Sequence, residues 1–378
     1  TMDSLLDLYV KFHREAETND SLNDEARMWF KKIEDGDKQA TELFAEFKRI
    51  TLEEVDKVYK RLGITFDSNN GEAFYNDKMQ PIIDALKQKN LLVESDGAMV
   101  VNLDEYGMPP CLILKSDGAT LYATRDLAAA VYRKNTYDFY KNLYVVAYQQ
   151  NLHFKQLFKV LELLGYDWAK DCVHVPFGMV SLEGVGAMST REGKVVKLKD
   201  VLSEAVDKTK AIISQKNPEL ENKDETAEAI GVGAVVFGAL INGRIKDVVF
   251  SVDKALNFDG ETGPYLQYTH ARCCSILSKG EAGEADYSTL TDDETFELVR
   301  LLSRFDQTVT TAAERYEPSI ISRYLIDLAQ AFNKFYIGHR VICDDEKLQS
   351  SRLAITKAVR DALRNGMSLI LLKAPEKM

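Results

Sequence analysis

The strongest constraint on the fold is a change in apolar periodicity at about Glu261. Between Ser116 and that point, short β-prone runs alternate with helical stretches: TLYA leads into TRDLAAAVYRK, NLYVVAY into NLHFKQLFKVLELLG, and CVHVPFG into a glycine-rich stretch and DVLSEAVDKTKAIISQ. Strands joined through helices run parallel, so the pattern predicts a doubly wound α/β sheet. Ligands of such sheets gather beyond the carboxyl ends of the strands, where strand order reverses. That rule selects Tyr122 to Asp126, Tyr148 to His153, and Gly178 to Met179.

After Glu261 the strands stop. PYLQYTHARCCSILSK, DDETFELVRLLSRFDQTVTTAAERY, PSIISRYLIDLAQAFNKFYIGHRV and SSRLAITKAVRDALRNGMSLILL each carry an apolar stripe at helical spacing, which predicts an all-α bundle. The acidic segment KGEAGEADYSTLTDDE between the first two reads as a solvated loop. From Met2 to about Arg61 the spacing is again helical, with Thr51 read as an N-cap dividing the stretch from Asp37 and Glu54 three residues beyond it. Between Gly63 and Lys115, a helix over YNDKMQPIIDALKQKNLL precedes strands AMVVNL and PPCLILK, an inserted α+β subdomain. The expected divisions are 1–62, 63–115, 116–260 and 261–378.

Charge narrows the functional classes. With 48 basic and 59 acidic residues the net charge is -11, so bulk charge does not coat nucleic acid, although a local basic face can still meet phosphates. No run of 18 apolar residues occurs, and the first helix is amphipathic rather than a signal segment, so a cytoplasmic address without a membrane partner is expected. The five cysteines (Cys111, Cys172, Cys273, Cys274 and Cys343) form no C-x-x-C pair and read as reduced, mostly buried thiols.

Three constellations carry chemistry. In GAMSTREGKVVKL (186–198), glycines permit an unusual backbone while Ser189, Thr190, Arg191 and Lys194 offer hydroxyls and cations to a polyphosphate; an ordinary solvated loop has the same composition. Tyr122 is expected to end a strand, with Asp126 in the first turn of the next helix, Thr124 as its cap, and Gln150 ending the following strand. A carboxylate, an amide and an aromatic hydroxyl suit a guanidinium, while an aspartate near a helix N-terminus is also favourable for its charge alone. In NFDGETGPYLQYTHARCCSIL (257–277), Tyr265, Gln267, Tyr268 and Arg272 mix aromatic with polar groups, suited to bases and phosphates or equally to helix packing.

Together these segments resemble the arginyl-tRNA synthetases, a class I family, over essentially the whole chain. Met188 and Ser189 match the second signature loop in its M-S-T-R form, with Ala187 and Thr190 standing where the general motif has lysines. The resemblance therefore implies Met188, Ser189, Arg191 and Lys194 as the catalytic loop. It implies Tyr122, Asp126 and Gln150 for arginine, His153, Gly178, Met179 and Val180 for ATP, and Tyr265, Gln267, Tyr268 and Arg272 for tRNA. Asp361-Ala362-Leu363-Arg364 matches the tetrapeptide that names the family's DALR helical domain, here expected to be scaffold. The implied fold is the second half of a class I nucleotide-binding, Rossmann-like sheet with an inserted subdomain, followed by an anticodon-binding helical bundle.

The implied activity is ATP-dependent activation of L-arginine and its transfer to tRNA-Arg, with Mg²⁺ entering on ATP, no protein-bound metal, and a monomeric enzyme. The class I His-x-Gly-His motif is missing, because no two of His13, His153, His174, His270 and His339 are three apart. The expectation is a C-terminal fragment of a longer enzyme, inactive alone. Two alternatives stand beside it: an anticodon-stem-binding module without catalysis, and an adenylate-forming ligase for another amino acid.

Overall fold

The computed structural model describes every residue except 117–119, 121, 186–195 and 282. It contains two compact units, Phe66–Met179 and a discontinuous one made of Thr1–Thr65 with Val180–Met378.

The discontinuous unit opens with α1 (Met2–Ala16), α2 (Ser21–Glu34) and α3 (Lys38–Leu62). Asp37 caps α3 by accepting the Ala40 amide at 2.9 Å, and Gly63 ends it in the left-handed region at φ 70°. The division expected at Thr51 does not occur. Thr51 lies in mid-helix, where its hydroxyl donates back to the Phe47 carbonyl at 2.8 Å instead of capping a new helix. Of the described residues in these helices only Ala40 joins the core. Ion pairs supply much of their attachment to the later part of the unit: Lys199 meets Glu54 at 2.8 Å, Arg61 holds Glu228 through two nitrogens at 2.8 and 3.2 Å, and Lys197 pairs with Asp3.

In the unit Phe66–Met179, a 3-10 turn (Glu72–Lys78) precedes α4 (Met79–Gln88). Asn90, at φ 54°, turns the chain into β1 (Leu92–Ser95), so the expected helix stops short and its last residue, Leu92, opens a strand. Asp96 and Gly97, both at positive φ, form the tight turn to β2 (Ala98–Val101), and β3 (Cys111–Leu114) completes an antiparallel sheet of order β1-β2-β3. Next come α5 (Tyr122–Tyr137), β4 (Asn142–Ala147), α6 (Asn151–Leu163) and β5 (Cys172–Phe177). Strands β4 and β5 pair in parallel from Asn142↔Cys172 to Ala147↔Phe177, as the alternation predicts. Among the described residues of TLYA, Thr120 makes a single bridge to Leu114 and Tyr122 already belongs to α5. The buried Thr124 hydroxyl donates to the Ile113 carbonyl at 2.5 Å, tying the first turn of α5 to β3 rather than capping the helix. Leu86, Ile113, Leu127, Leu157 and Leu161 lie at the centre of this unit's core.

The discontinuous unit resumes with β6 (Val180–Leu182), α7 (Leu198–Lys216), α8 (Lys223–Leu240), β7 (Val248–Phe250) and α9 (Val252–Ala255). β6 and β7 form a second parallel pair. Helix α8 is buried nearly all round, which is why it shows little periodicity in the sequence. Five helices follow: α10 (Gly263–Leu277), α11 (Asp293–Leu302), α12 (Phe305–Arg315), α13 (Ser319–Gly338) and α14 (Glu346–Leu369). The single helix expected over 292–316 is two, separated at Ser303 and Arg304. Leu266, Cys273, Leu298, Leu325, Phe332, Phe335 and Leu363 build the bundle core. The acidic loop is tied to α14, where the Ser350 and Ser351 hydroxyls accept the Gly283 and Asp286 amides, each at 2.9 Å. Cys111, Cys172 and Cys273 are buried and unpaired; burial pushes the Cys111 thiol up to about 12 and the Cys172 thiol to about 11.

Candidate functional site

The amino ends of α5 and α6 carry the residues of the second constellation, Tyr122, Asp126 and Gln150. Tyr122 and Asp126 are one helical turn apart and so share a face of α5, with Tyr122 69% exposed. Asp126 lies one turn into the helix, not in its first turn, because α5 starts earlier than the sequence suggested. One of its oxygens, Oδ2, sits 2.7 Å from Nε2 of His153, with the aspartate side chain 40% and the histidine 23% exposed. Gln150, exposed, occupies the N-cap position of α6 without spending its side chain on the helix. Beneath them, Phe154 stacks on His174 at 4.4 Å, and His174 Nε2 meets the Val146 carbonyl at 2.9 Å, a structural use of that ring.

Two consequences follow for the chemistry. His153, expected at the nucleotide, directs its Nε2 to Asp126. The histidine thus holds one carboxylate oxygen, and the half-exposed group keeps acceptor capacity for a cation. Arg125, which the sequence reading passed over, is buried beside this site with NH1 3.1 Å from Glu72 Oε2 and Nε without a partner. Gly178 is buried just past β5, Met179 is exposed, and Val180 opens β6. Met188, Ser189, Arg191 and Lys194 lie outside the described residues.

The residues expected to meet RNA divide between two faces of α10. Tyr268 is 43% exposed. One turn on, the Arg272 guanidinium lies 4.8 Å from the Tyr268 ring and 5.1 Å from that of Tyr336 on α13. Asn333 braces this group, accepting from Arg272 and donating to Tyr265 Oη at 2.9 Å and Thr269 Oγ1 at 3.0 Å. Neither Asn333 nor Tyr336 was anticipated; the available signal was an amide, Asn333, between the aromatic residues of AFNKFY. Gln267 points inward and is 0% exposed, so no part of it reaches the surface. His270 is also buried, and its imidazole is held below the usual value by burial, against the favourable effect of the Pro375 carbonyl on the charged ring. Beside the exposed face runs a groove of about 1580 Å³, lined by Tyr268, Arg272, Tyr336, Lys279, Arg340 and the segment 373–378.

Among the described residues one cluster has metal-ligand character: Asp292, Glu294 and His339, whose candidate atoms lie within 4.8 Å of one another. Its surroundings suit hydrogen bonding better. Arg352 faces His339 Nδ1 at 3.4 Å, which leaves the ring proton on Nε2, 3.2 Å from Asp292 and 3.4 Å from Glu294.

Comparison with known proteins defines the class first. Residues 1–252 match the family model for the catalytic domain of tRNA synthetases class I (R), and residues 266–378 match the DALR anticodon binding domain. The fold is thus a class I synthetase catalytic domain followed by a DALR helical domain. The chain is 54% identical over 376 residues to the arginine–tRNA ligase of Halothermothrix orenii, covering 99% of this chain and 66% of that one. It is 55% identical over 380 residues to that of Clostridium beijerinckii, covering 100% and 67%. Among solved structures, arginyl-tRNA synthetase from Thermus thermophilus superposes with a TM-score of 0.86 at 27% identity, covering 98% of this chain and 69% of that one. The chain belongs to the arginyl-tRNA synthetase family. It spans about two thirds of the length of the relatives it matches.

Proposed function

We propose that this chain forms the arginine pocket and the tRNA-binding part of an arginine–tRNA ligase. In that reaction the arginine carboxylate attacks the α-phosphate of ATP, pyrophosphate leaves, and the activated acyl group passes to the terminal ribose of tRNA-Arg. The observation that carries the reading is Asp126, its side chain 40% exposed and one oxygen held by His153, which leaves the carboxylate able to accept a cation. A guanidinium can pair with the carboxylate while Tyr122 and Gln150 supply further hydrogen bonds, and a neutral isostere leaves the charge unpaired.

The same reading assigns Gly178, Met179 and Val180 to adenine and the loop of Met188, Ser189, Arg191 and Lys194 to the leaving pyrophosphate. Mg²⁺ enters with ATP. It also assigns 1–62 and 116–260 to the catalytic region, 63–115 to an insertion, and 261–378 to the anticodon-binding bundle, with Tyr265, Tyr268 and Arg272 toward RNA. The reading takes the enzyme to be monomeric and cytoplasmic; no helix of the described residues is long and apolar enough to cross a membrane.

Calorimetric titration with L-arginine, tRNA-Arg present, tests the pocket. The chain is expected to bind arginine, and Asp126→Ala to weaken that binding by about tenfold or more. Citrulline, which keeps the shape without the charge, should bind the unaltered chain no better than arginine binds the variant. Equal affinity for arginine and citrulline sinks the assignment.

A further inference from the structure

The segment after α14 has no regular structure, yet it forms one wall of the groove beside α10. Leu371, at φ 59°, turns the chain, and the Leu372 amide bonds back to the Met367 carbonyl at 2.9 Å. Past that point, the hydrogen bonds that fix the described backbone come from side chains. Gln267 Nε2 donates to the Lys373 carbonyl at 2.8 Å, His270 Nδ1 to the Pro375 carbonyl at 3.0 Å, and Asn217 Nδ2 to the Met378 carbonyl at 3.1 Å.

Gln267 is an expensive way to fill space. Its second donor reaches the Ala229 carbonyl of α8 at 3.0 Å, while its own Oε1 is buried without a partner. An unpaired buried carbonyl costs stability that an apolar side chain of similar size would not. Its donors are the property an apolar side chain lacks, and they join α10 to α8 and to the segment at once. The slot for the amide is made by Gly233, where a Cβ would come 3.0 Å from Gln267 Nε2.

We propose that Gln267 and His270 are positioning residues for RNA binding: they hold 373–378 as the groove wall, while Tyr268 and Arg272, on the exposed face of the same helix, meet the RNA. The inference rests on the RNA-binding reading above. It divides the run QYTHAR by face, the inward residues setting the shape of the site and the outward ones contacting the ligand.

The test uses the full chain, a tRNA-Arg transcript followed by fluorescence anisotropy over a salt series, and hydrogen exchange of residues 373–378. Gln267→Leu and Gly233→Ala should each speed exchange in that segment and weaken binding about tenfold, with the salt slope unchanged because no phosphate contact is removed. Combined, they should do no more than either alone, since both remove one interaction. Tyr268→Ala should weaken binding without changing exchange. His270→Leu should behave like Gln267→Leu, and His270→Asn, which offers an amide N–H near the place of Nδ1, should restore most of the affinity. Should Gln267→Leu fold poorly, Gly233→Ala and the His270 pair decide the matter. Faster exchange with undiminished binding, or unchanged exchange in every inward variant, overturns the proposal. An unaltered chain that leaves the transcript unbound overturns the RNA reading itself and this inference with it, whereas the proposal alone fails when that chain binds and the exchange-labile variants bind equally well.

Discussion

Asp126 and Thr124 are two residues apart on α5 and do opposite things. Asp126 keeps part of its carboxylate toward solvent, whereas Thr124 spends its hydroxyl inside on the Ile113 carbonyl. Thr124→Val keeps the shape but removes the donor, leaving a buried carbonyl unpaired. Denaturant unfolding should report a loss of about 1–3 kcal/mol. His270 gives a pH prediction. Its folded value is depressed, chiefly by burial and further by Arg360 and Arg364, so in acid the unfolded chain takes up the proton first. Its stabilising contribution is therefore full above the ordinary value of 6.5 and is lost as pH falls from there through the folded value. Melting temperatures measured downward from pH 8 should fall over that interval in the wild type and less in His270→Asn. Residue types and their spacing are what single out Tyr122, Asp126 and Gln150 as the proposed guanidinium site. The partnership of Asp126 with His153, which lies 27 residues on, was not legible, because it depends on two helices meeting.

Among the elements, helices were legible wherever one face is solvated and the apolar stripe stands out, as in α6, α13 and α14. Helix α8 showed no such stripe because nearly every side is covered. The expected helix runs on to Leu92, the first residue of β1, because a left-handed Asn90 leaves little trace in an apolar pattern. Packing between helices then rests on glycines whose role is invisible locally. A Cβ at Gly263 would lie 2.9 Å from the Gly233 carbonyl oxygen, and one at Gly366 would lie 2.5 Å from Leu325 Cδ2. The second contact is nominally closer, but a side-chain methyl can rotate and a helix backbone cannot. Gly366→Ala should therefore cost about 1–3 kcal/mol, and Gly263→Ala more than Gly366→Ala, in thermal unfolding of the same chain. The reverse order would mean that the α8–α10 approach is compliant.

At the scale of the molecule, the division into two units makes its own prediction. Phe66–Met179 is continuous in sequence and has a core of its own around Leu86, Ile113, Leu127 and Leu157. Expressed alone, it should melt as a single cooperative transition with native-like helical circular dichroism; a broad, non-cooperative melt would show that its core is insufficient. The sequence by itself determined the class of fold, through alternation before Glu261 and helical spacing after it, and the residue types on which the proposed arginine pocket rests. Both are written in residue type and local spacing. Only the tertiary structure decided which members of a motif face inward. Gln267 and Tyr268 are neighbours in one run, yet one is buried on a carbonyl 106 residues away and the other faces the groove. Burial is set by what packs against a helix, and that partner is supplied by distant chain.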